Sequence, residues 1–227
     1  MVYITKLKCQ FNIMNSLVKD AEIFINHNYF TKDEADKLFS IVDDAKKFKR
    51  HILYFPNHKT QSWRKSYWFG DYPQAVQECG KKLPTDFVTN YKFHPEILKL
   101  KERLEKDFNV RFNSCLVGRF ETPHDKIGFH SDNSTNMGAD PYIASVSFGR
   151  PRLFKIKKQK KYGDERINIT LKHGTVLIMR KNSNKKYLHS VPKDKGCNEE
   201  NPRINLTFRN YLYHDDEINW SKKLKPL

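Results

Sequence analysis

The segment PRINLTFRN, residues 202–210, alternates apolar and polar side chains with the period of a β-strand. The polar face of this strand carries Arg203, Asn205, Thr207 and Arg209. Two arginines on an inward face are costly unless they meet anions, and arginine binds carboxylates in a bidentate manner. The segment therefore indicates either a strand that holds a dicarboxylate or the solvent-exposed polar face of an edge strand.

Other short β-rich segments precede this strand, separated by Gly, Pro, Asn and Asp residues. They are SCLVGRF (114–120), YIASVSFG (142–149), RLFKIK (152–157) and INITLKHGTVLIM (167–179). Strands at this spacing favour a sandwich or barrel over a parallel α/β sheet. The second half of the chain is therefore predicted to form a double-sheet jelly roll.

Two amphipathic helices are predicted ahead of these strands. Thr31 and Glu34 form a capping-box pattern before an apolar stripe at helical spacing. Pro95 begins a second helix, with Ile97, Leu100, Leu104 and Phe108 on one face. We therefore expect an α+β fold, a double-stranded β-helix (jelly roll) core with supporting helices.

The region between the helices, residues 51–83, holds many aromatic and turn-forming residues. This composition is typical of exposed loops, and we interpret it as a substrate-recognition lid. The expected organisation is an N-terminal extension and lid over residues 1–85, and a jelly-roll core over residues 86–227. The two parts are expected to form a single compact domain.

The composition indicates which kind of partner the protein binds and which cellular compartment it occupies. The net charge is +16, from 42 basic and 26 acidic residues, which favours polyanionic partners unless the lysines are simply solvated. The four cysteines form no CxxC pair, which is typical of free thiols in a reducing compartment. The N-terminus lacks the apolar core of a signal peptide, and no apolar run reaches the length of a membrane span. A soluble intracellular monomer is expected, and nothing distinguishes nucleus from cytoplasm.

The segment IGFHSDNS, residues 127–134, contains a candidate metal site. His130 and Asp132 are two residues apart, so on a strand both side chains would point to one face. A third ligand must come from elsewhere, and two histidines with one carboxylate are typical of non-haem Fe(II) oxygenases. His189 in YLHSVP is favoured by its position ahead of the arginine strand. His124, His173 and His214 remain alternative candidates for the third ligand, because the chain has nine histidines.

The order of these motifs resembles the AlkB family of nucleic-acid dealkylases, and its DNA-repair branch in particular. The motifs that carry the likeness are HSD, IASVSFGRPRLF, LKHGTVLIM, LHSVP and RINLTFR, together with WRKSYWFGD at residues 63–71. The similarity extends over about residues 50–212. It implies an Fe(II)- and 2-oxoglutarate-dependent dioxygenase that uses O₂ to demethylate N-alkylated bases in DNA or RNA, releasing formaldehyde and succinate.

The resemblance also implies roles for single residues. His130, Asp132 and His189 match the iron ligands, which would be the catalytic centre. Arg203 and Arg209 match the arginines that hold the two ends of 2-oxoglutarate. The remaining matches are polar residues that line the co-substrate site, Asn205 and Thr207, and residues of a structural strand and turn, Ser145, Ser147 and Gly149.

The sequence departs from the family pattern near the co-substrate and the base. Gly118 and Phe120 stand where the family usually has Asn and Tyr, and both of those contact the co-substrate. Phe120 keeps the ring at that site without the hydroxyl. Asn133 and Ser134 follow the metal-binding Asp where relatives often carry a carboxylate that recognises the flipped base. With these departures, the resemblance does not determine the affinity for the co-substrate or the preferred base.

A methylated base in a duplex must be flipped out to reach a buried iron. The predicted substrate contacts are Phe55, Trp63, Arg64, Lys65 and Phe69, the aromatic rings as wedges or stacking surfaces and the cations on phosphates. Ordinary core packing is the competing interpretation for each ring. The basic segment KIKKQKK, residues 155–161, could also follow a phosphate backbone.

Two other functions remain compatible with the sequence. One is a related oxygenase that acts on protein or on modified tRNA, because no carboxylate follows Asp132. The other is a non-catalytic nucleic-acid-binding module on the same fold, which Gly118 and Phe120 favour. The complete set of three metal ligands and two arginines argues against the second.

Overall fold

The structure is a computed structural model, and it describes residues 16–55, 58–70, 90–132, 137–194 and 201–212. For residues 53–55, 58–59 and 90 it describes the backbone alone. The elements within these ranges are two long α-helices, one short α-helix, a 3-10 helix at Lys160–Tyr162, and strands that form two larger sheets and a hairpin.

The major sheet has seven strands in the order β1-β11-β8-β13-β6-β4-β5. Their bounds are Glu22–Asn26 (β1), Thr175–Arg180 (β11), Ile143–Gly149 (β8), Arg203–Arg209 (β13), Ser114–Phe120 (β6), Lys65–Gly70 (β4) and Asn90–Tyr91 (β5). All pairs are antiparallel except β4 with β5. The arginine strand β13 thus lies at the centre of the sheet, and all seven of its residues are buried.

The minor sheet has four strands in the order β10-β9-β12-β7. Their bounds are Arg166–Leu171 (β10), Arg152–Lys158 (β9), Tyr187–Val191 (β12) and Ile127–His130 (β7). Strands β2 (Ile52–Phe55) and β3 (His58–Gln61) form a separate hairpin. The two larger sheets have the antiparallel arrangement expected of the predicted jelly roll.

Both predicted long helices are confirmed. Helix α1, Lys32–Val42, begins with the capping box: the Thr31 hydroxyl accepts from the Glu34 N–H, and the Glu34 carboxylate accepts from the Thr31 N–H. Helix α2, Pro95–Phe108, begins at the expected proline and ends at Asn109 in the left-handed region. No helix in the described ranges is long and apolar enough to cross a bilayer.

The major sheet separates two hydrophobic layers. On one face, Val117 and Ile204 belong to a cluster with helix residues Leu38 and Leu104. On the other face, Leu116 and Phe120 belong to a cluster with residues of the minor sheet, among them Phe154 and Ile156. Because side chains alternate along β6 and β13, their even and odd positions face different layers. This alternation turns the polar residues of β13 toward the minor sheet.

Part of the predicted lid is core structure. Strand β4 occupies residues 65–70, within the region interpreted as exposed loops, and it pairs along its whole length with β6. Trp68 and Phe69 are 0% and 1% exposed. The aromatic composition that suggested an exposed surface therefore reflects a buried strand. The boundary near residue 85 and the recognition lid itself stay predictions.

The end of β8 gives a stability test, because Gly149 has a φ of +77° and a Cβ there would lie 2.2 Å from the Pro202 carbonyl oxygen. Gly149→Ala should lower the free energy of unfolding by about 1–3 kcal/mol, the usual cost of such backbone strain. Urea unfolding at equilibrium measures the change. Gly128→Ala is the matched control, because nothing lies within 4 Å of its added Cβ, and it should change stability by less than about 0.5 kcal/mol. Equal midpoints for the two variants would contradict the expectation.

Candidate functional site

The predicted metal ligands converge between the two sheets. His130 is the last residue of β7, His189 is the middle residue of β12, and the two pair directly across these strands. Asp132 lies two residues beyond β7, so the carboxylate comes from the following segment and not from the strand itself. Its Oδ1 lies 3.8 Å from Nε2 of each histidine, and the three ligand atoms all lie within 4.8 Å of one another.

The protonation states suit a metal ion. Burial lowers the pKa of His130, and it lowers the pKa of His189 to about 4, so both rings are neutral near pH 7. Nδ1 of His130 lies 2.9 Å from the Gly128 carbonyl and donates to it, which leaves the Nε2 lone pair for a metal. Burial alone would raise the pKa of Asp132, but Arg209 and the two histidines outweigh it and lower the pKa to about 2. The set is two neutral imidazoles and one carboxylate.

Asp132 is held through its side chain and its backbone. Arg209 at the end of β13 donates from Nε to Oδ2 at 3.1 Å and lies 2.9 Å from Oδ1 through Nη2. Asn184, in the short helix α3 (Ser183–Lys186), accepts from the Asp132 N–H and donates to its carbonyl, both at 2.8 Å. Asn184 was not predicted, because one asparagine in a turn carries no periodic or spacing signal.

The inward residues of β13 form a connected polar network. Oδ1 of Asn205 accepts from Arg203 Nη2 at 2.9 Å and from the hydroxyls of Ser145 and Ser147 at 2.9 and 3.3 Å. Nδ2 of Asn205 donates to the Thr207 hydroxyl at 2.8 Å. These bonds hold the polar face of the strand in one arrangement. The alternative of a solvent-exposed edge strand is therefore wrong.

The site also has the character of an anion site. Arg203 is 2% exposed, and its Nε is buried without a hydrogen-bond partner in the described part of the chain. Burial, reinforced by Arg152 and Arg64, lowers the pKa of Arg203 to about 9. Among the described residues, three arginines and a single carboxylate line the cavity. A buried excess of positive charge with an unused donor fits a carboxylate ligand.

Most predicted site residues meet at this one cavity. It is lined by the three metal-ligand candidates and by Arg64, Phe120, Arg203, Asn205, Thr207 and Arg209. Further walls come from residues that were not predicted, Ile127, Phe154, Met179 and Val191. Because these side chains belong to both sheets, no single segment of sequence shows that they are neighbours.

The predicted substrate contacts are divided between surface and core. Trp63 is 50% exposed, and Lys65 forms an ion pair of 2.9 Å with Glu121. The prediction for Phe69 is wrong, because its ring is stacked on Phe93 in the core and leaves no surface for a base. The side chain of Phe55 lies outside the described residues, as do Asn133 and Ser134, which follow Asp132 in sequence.

The rival histidines lie away from this cluster. His173 accepts from the Gly149 N–H and lies 3.1 Å from Asp36, so it supports a turn near α1. His124 is exposed in the loop after β6. His214 lies outside the described residues. Among the described histidines, His189 is the one that joins His130 and Asp132.

Asn184 gives a test of how the carboxylate is positioned. Asn184→Ala should weaken Co(II) or Mn(II) binding by about tenfold or more, because partners that orient metal ligands commonly contribute that much. Titration of the metal with spectroscopic detection measures the affinity. Lys185→Ala, an exposed neighbour on the same helix, should leave it unchanged. Unaltered metal affinity in a well-folded Asn184→Ala protein would contradict the positioning role.

Comparison with known proteins places this geometry in a family. The model of the 2OG-Fe(II) oxygenase superfamily matches residues 22–209. The chain is 33% identical over 183 residues to bovine (Bos taurus) alpha-ketoglutarate-dependent dioxygenase alkB homolog 3, covering 78% of this chain and 61% of that protein. It is 31% identical over 199 residues to the mouse (Mus musculus) DNA oxidative demethylase ALKBH2, covering 81% and 77%.

A solved structure agrees on the fold. The structure of OsALKBH1 superposes with a TM-score of 0.62 at 16% identity, covering 86% of this chain and all of that one. The chain spans less than two thirds of the length of the bovine relative, 61%. The matched residues 22–209 contain the facial arrangement of His130, Asp132 and His189 and the arginines of β13. The chain therefore belongs to the 2OG-Fe(II) oxygenase superfamily and, within it, to the AlkB family.

Proposed function

We propose that this protein is an Fe(II)- and 2-oxoglutarate-dependent dioxygenase that oxidatively demethylates N-alkylated bases in DNA, with RNA as a second substrate class. The observation that carries the proposal is the cavity itself, where two neutral histidines and an ionised aspartate face an arginine-lined anion site. The substrate class is supported by sequence similarity to a DNA oxidative demethylase.

The residues present fit both the metal and the co-substrate. His130, Asp132 and His189 would hold Fe(II) in the cavity, with two imidazoles and one carboxylate as its protein ligands. Arg203 and Arg209 would hold 2-oxoglutarate, with Asn205, Thr207 and Phe120 lining its site. When bound, the iron and co-substrate activate O₂, so that an N-methyl group is lost as formaldehyde while 2-oxoglutarate becomes succinate and CO₂.

The chain's own part is to orient and to exclude water. Arg209 keeps Asp132 ionised and aimed into the cavity, and Asn184 fixes the backbone of the same residue. Phe120 and Phe154 are 0% and 5% exposed, and they close the apolar walls of the cavity. His130 is the most open of the three ligands, with 37% of its side chain exposed. The substrate base would therefore approach from the His130 side.

Exposed aromatic rings with lysines beside them support a nucleic-acid substrate. We call Trp63, Phe129, Lys126, Lys157 and Lys193 the aromatic rim. Trp63 and Phe129 are 50% and 42% exposed, and they adjoin the cavity residues Arg64 and His130 in sequence. Lys126 and Lys193 lie 4.9 and 5.7 Å from the Trp63 ring centroid, and Lys157 lies 4.2 Å from that of Phe129. Exposed rings beside cations offer base stacking and phosphate contacts together.

The demethylation proposal is tested with Fe(II), 2-oxoglutarate and oligonucleotides that carry 1-methyladenine, 3-methylcytosine or no lesion. Mass spectrometry should detect loss of the methyl group with stoichiometric succinate. His130→Ala should abolish both products, because it removes a metal ligand. His124→Ala, the exposed rival, should retain the wild-type rate. Succinate production stimulated by peptides and not by methylated oligonucleotides would refute the substrate class while leaving the oxygenase chemistry intact.

The aromatic rim is tested by oligonucleotide binding. Trp63→Ala should weaken binding of a single-stranded oligonucleotide about five- to a hundredfold, since stacking contributes about 1–3 kcal/mol per base. Fluorescence anisotropy at fixed ionic strength measures the change. Leu98→Ala is the control, because Leu98 is an exposed apolar residue on α2, which covers the other face of the major sheet. If both variants bind like the wild type, Trp63 is not a substrate contact.

A further inference from the structure

Gly118 lies in β6, two residues before Phe120, which lines the cavity. In β6 it pairs with Asn205 of β13 on one side and with Ser66 of β4 on the other. Because side chains alternate along a strand, position 118 shares its face with Leu116 and Phe120, which belong to the layer between the sheets. A side chain at 118 would therefore project into the layer between the two sheets.

Next to Gly118 this layer holds Arg64, the residue immediately before β4. A Cβ built on Gly118 would lie 3.2 Å from Cδ, 3.3 Å from Nε and 3.5 Å from Cζ of Arg64, and these are its three nearest atoms. The register of β4 with β6 pairs Lys65 with Arg119, so one further step sets Arg64 opposite Phe120. Arg64 thus crosses β6 at the one residue that has no side chain to block it.

The Arg64 guanidinium enters a region that already has excess positive charge. Its Cζ lies 6.0 Å from the Phe120 ring centroid, and that of Arg203 lies 5.0 Å from the same centroid. Arg64 lines the cavity together with Arg203, Arg209 and the single carboxylate Asp132, which Arg209 already binds. The positive charge of Arg64 also helps to lower the pKa of Arg203. Such a cluster is stabilised by a bound anion.

We propose that Arg64 is a co-substrate-binding residue, whose guanidinium contacts a carboxylate of 2-oxoglutarate from the β4 side of the cavity, and that Gly118 admits it. The inference rests on the proposed function, because it takes 2-oxoglutarate as the ligand of this cavity. It differs from the sequence-based prediction that Arg64 holds a phosphate of the nucleic acid. Arg64 and Gly118 act as one pair, since a side chain at 118 and the guanidinium compete for the same volume.

The direct test is calorimetric titration of 2-oxoglutarate into Mn(II)-loaded protein, which needs no turnover. Arg64→Gln should weaken binding about ten- to a hundredfold, the usual effect of losing a charge-assisted hydrogen bond. Arg64→Lys keeps the charge and should lose less. Lys37→Gln removes the same charge on helix α1, where the side chain pairs with Glu96 outside the cavity, and should keep wild-type affinity for 2-oxoglutarate. Thermal melting checks that each variant is folded.

A double-mutant cycle tests the pairing with Gly118. Gly118→Ala should weaken 2-oxoglutarate binding about two- to tenfold by displacing Arg64, and the same change should have no effect in the Arg64→Gln background. Equal losses in both backgrounds would mean that the added methyl acts without Arg64, and would overturn the pairing.

The outcomes separate this inference from the proposed function. If the wild type binds no 2-oxoglutarate with Mn(II), both are refuted. If the wild type binds it and Arg64→Gln binds it equally well, the inference alone fails. If Arg64→Gln lowers affinity for a methylated oligonucleotide and leaves 2-oxoglutarate affinity unchanged, Arg64 is a nucleic-acid contact, and the inference also fails.

Discussion

The ion pair between Arg209 and Asp132 is the contact on which the site depends. It joins the end of β13 in the major sheet to the segment after β7 in the minor sheet, with each side chain 7% exposed. Either charge alone would be costly at such burial, so each one requires the other. The pair therefore sets the separation of the sheets where the two histidines meet the carboxylate. A metal ion at His130 and His189 would share Asp132 with Arg209 instead of replacing it.

The cavity and the aromatic rim carry different types of basic residue. Arginines line the cavity, where Arg203 and Arg209 are almost fully buried, whereas lysines accompany the exposed rings of the aromatic rim. Arginine is more weakly hydrated and has a planar set of donors, which suits a desolvated carboxylate held in one orientation. Lysine is strongly hydrated and mobile, which suits phosphates that remain in water. The same net charge of +16 can therefore serve a small dicarboxylate inside and a polyanion outside.

The sequence predicts the parts of this structure that depend on local periodicity. The capping box at Thr31, the helix that begins at Pro95 and the strand RINLTFR all stand in the structure where the patterns indicate. Strand β4 was misinterpreted because Tyr67, Trp68 and Phe69 are consecutive large rings, and a strand buried on both faces shows no polar alternation. The central position of β13 and the hydrogen bonds of Asn184 to the Asp132 backbone depend on contacts between distant segments. No local sequence pattern indicates such contacts.

The pair of Arg64 and Gly118 shows why a departure from a family pattern cannot be evaluated at one position. By resemblance, glycine at 118 removes an amide side chain that contacts the co-substrate. That change alone predicts a lower affinity for 2-oxoglutarate. In the folded chain a Cβ at 118 would lie 3.3 Å from Nε of Arg64, the residue immediately before β4, and its guanidinium is a stronger donor than an amide. A side chain at 118 and the guanidinium of Arg64 compete for the same space. Their effects on 2-oxoglutarate binding are therefore coupled and do not add. The effect of the residue at 118 on co-substrate binding can therefore be evaluated only together with the residue at 64, fifty-four positions earlier in the chain.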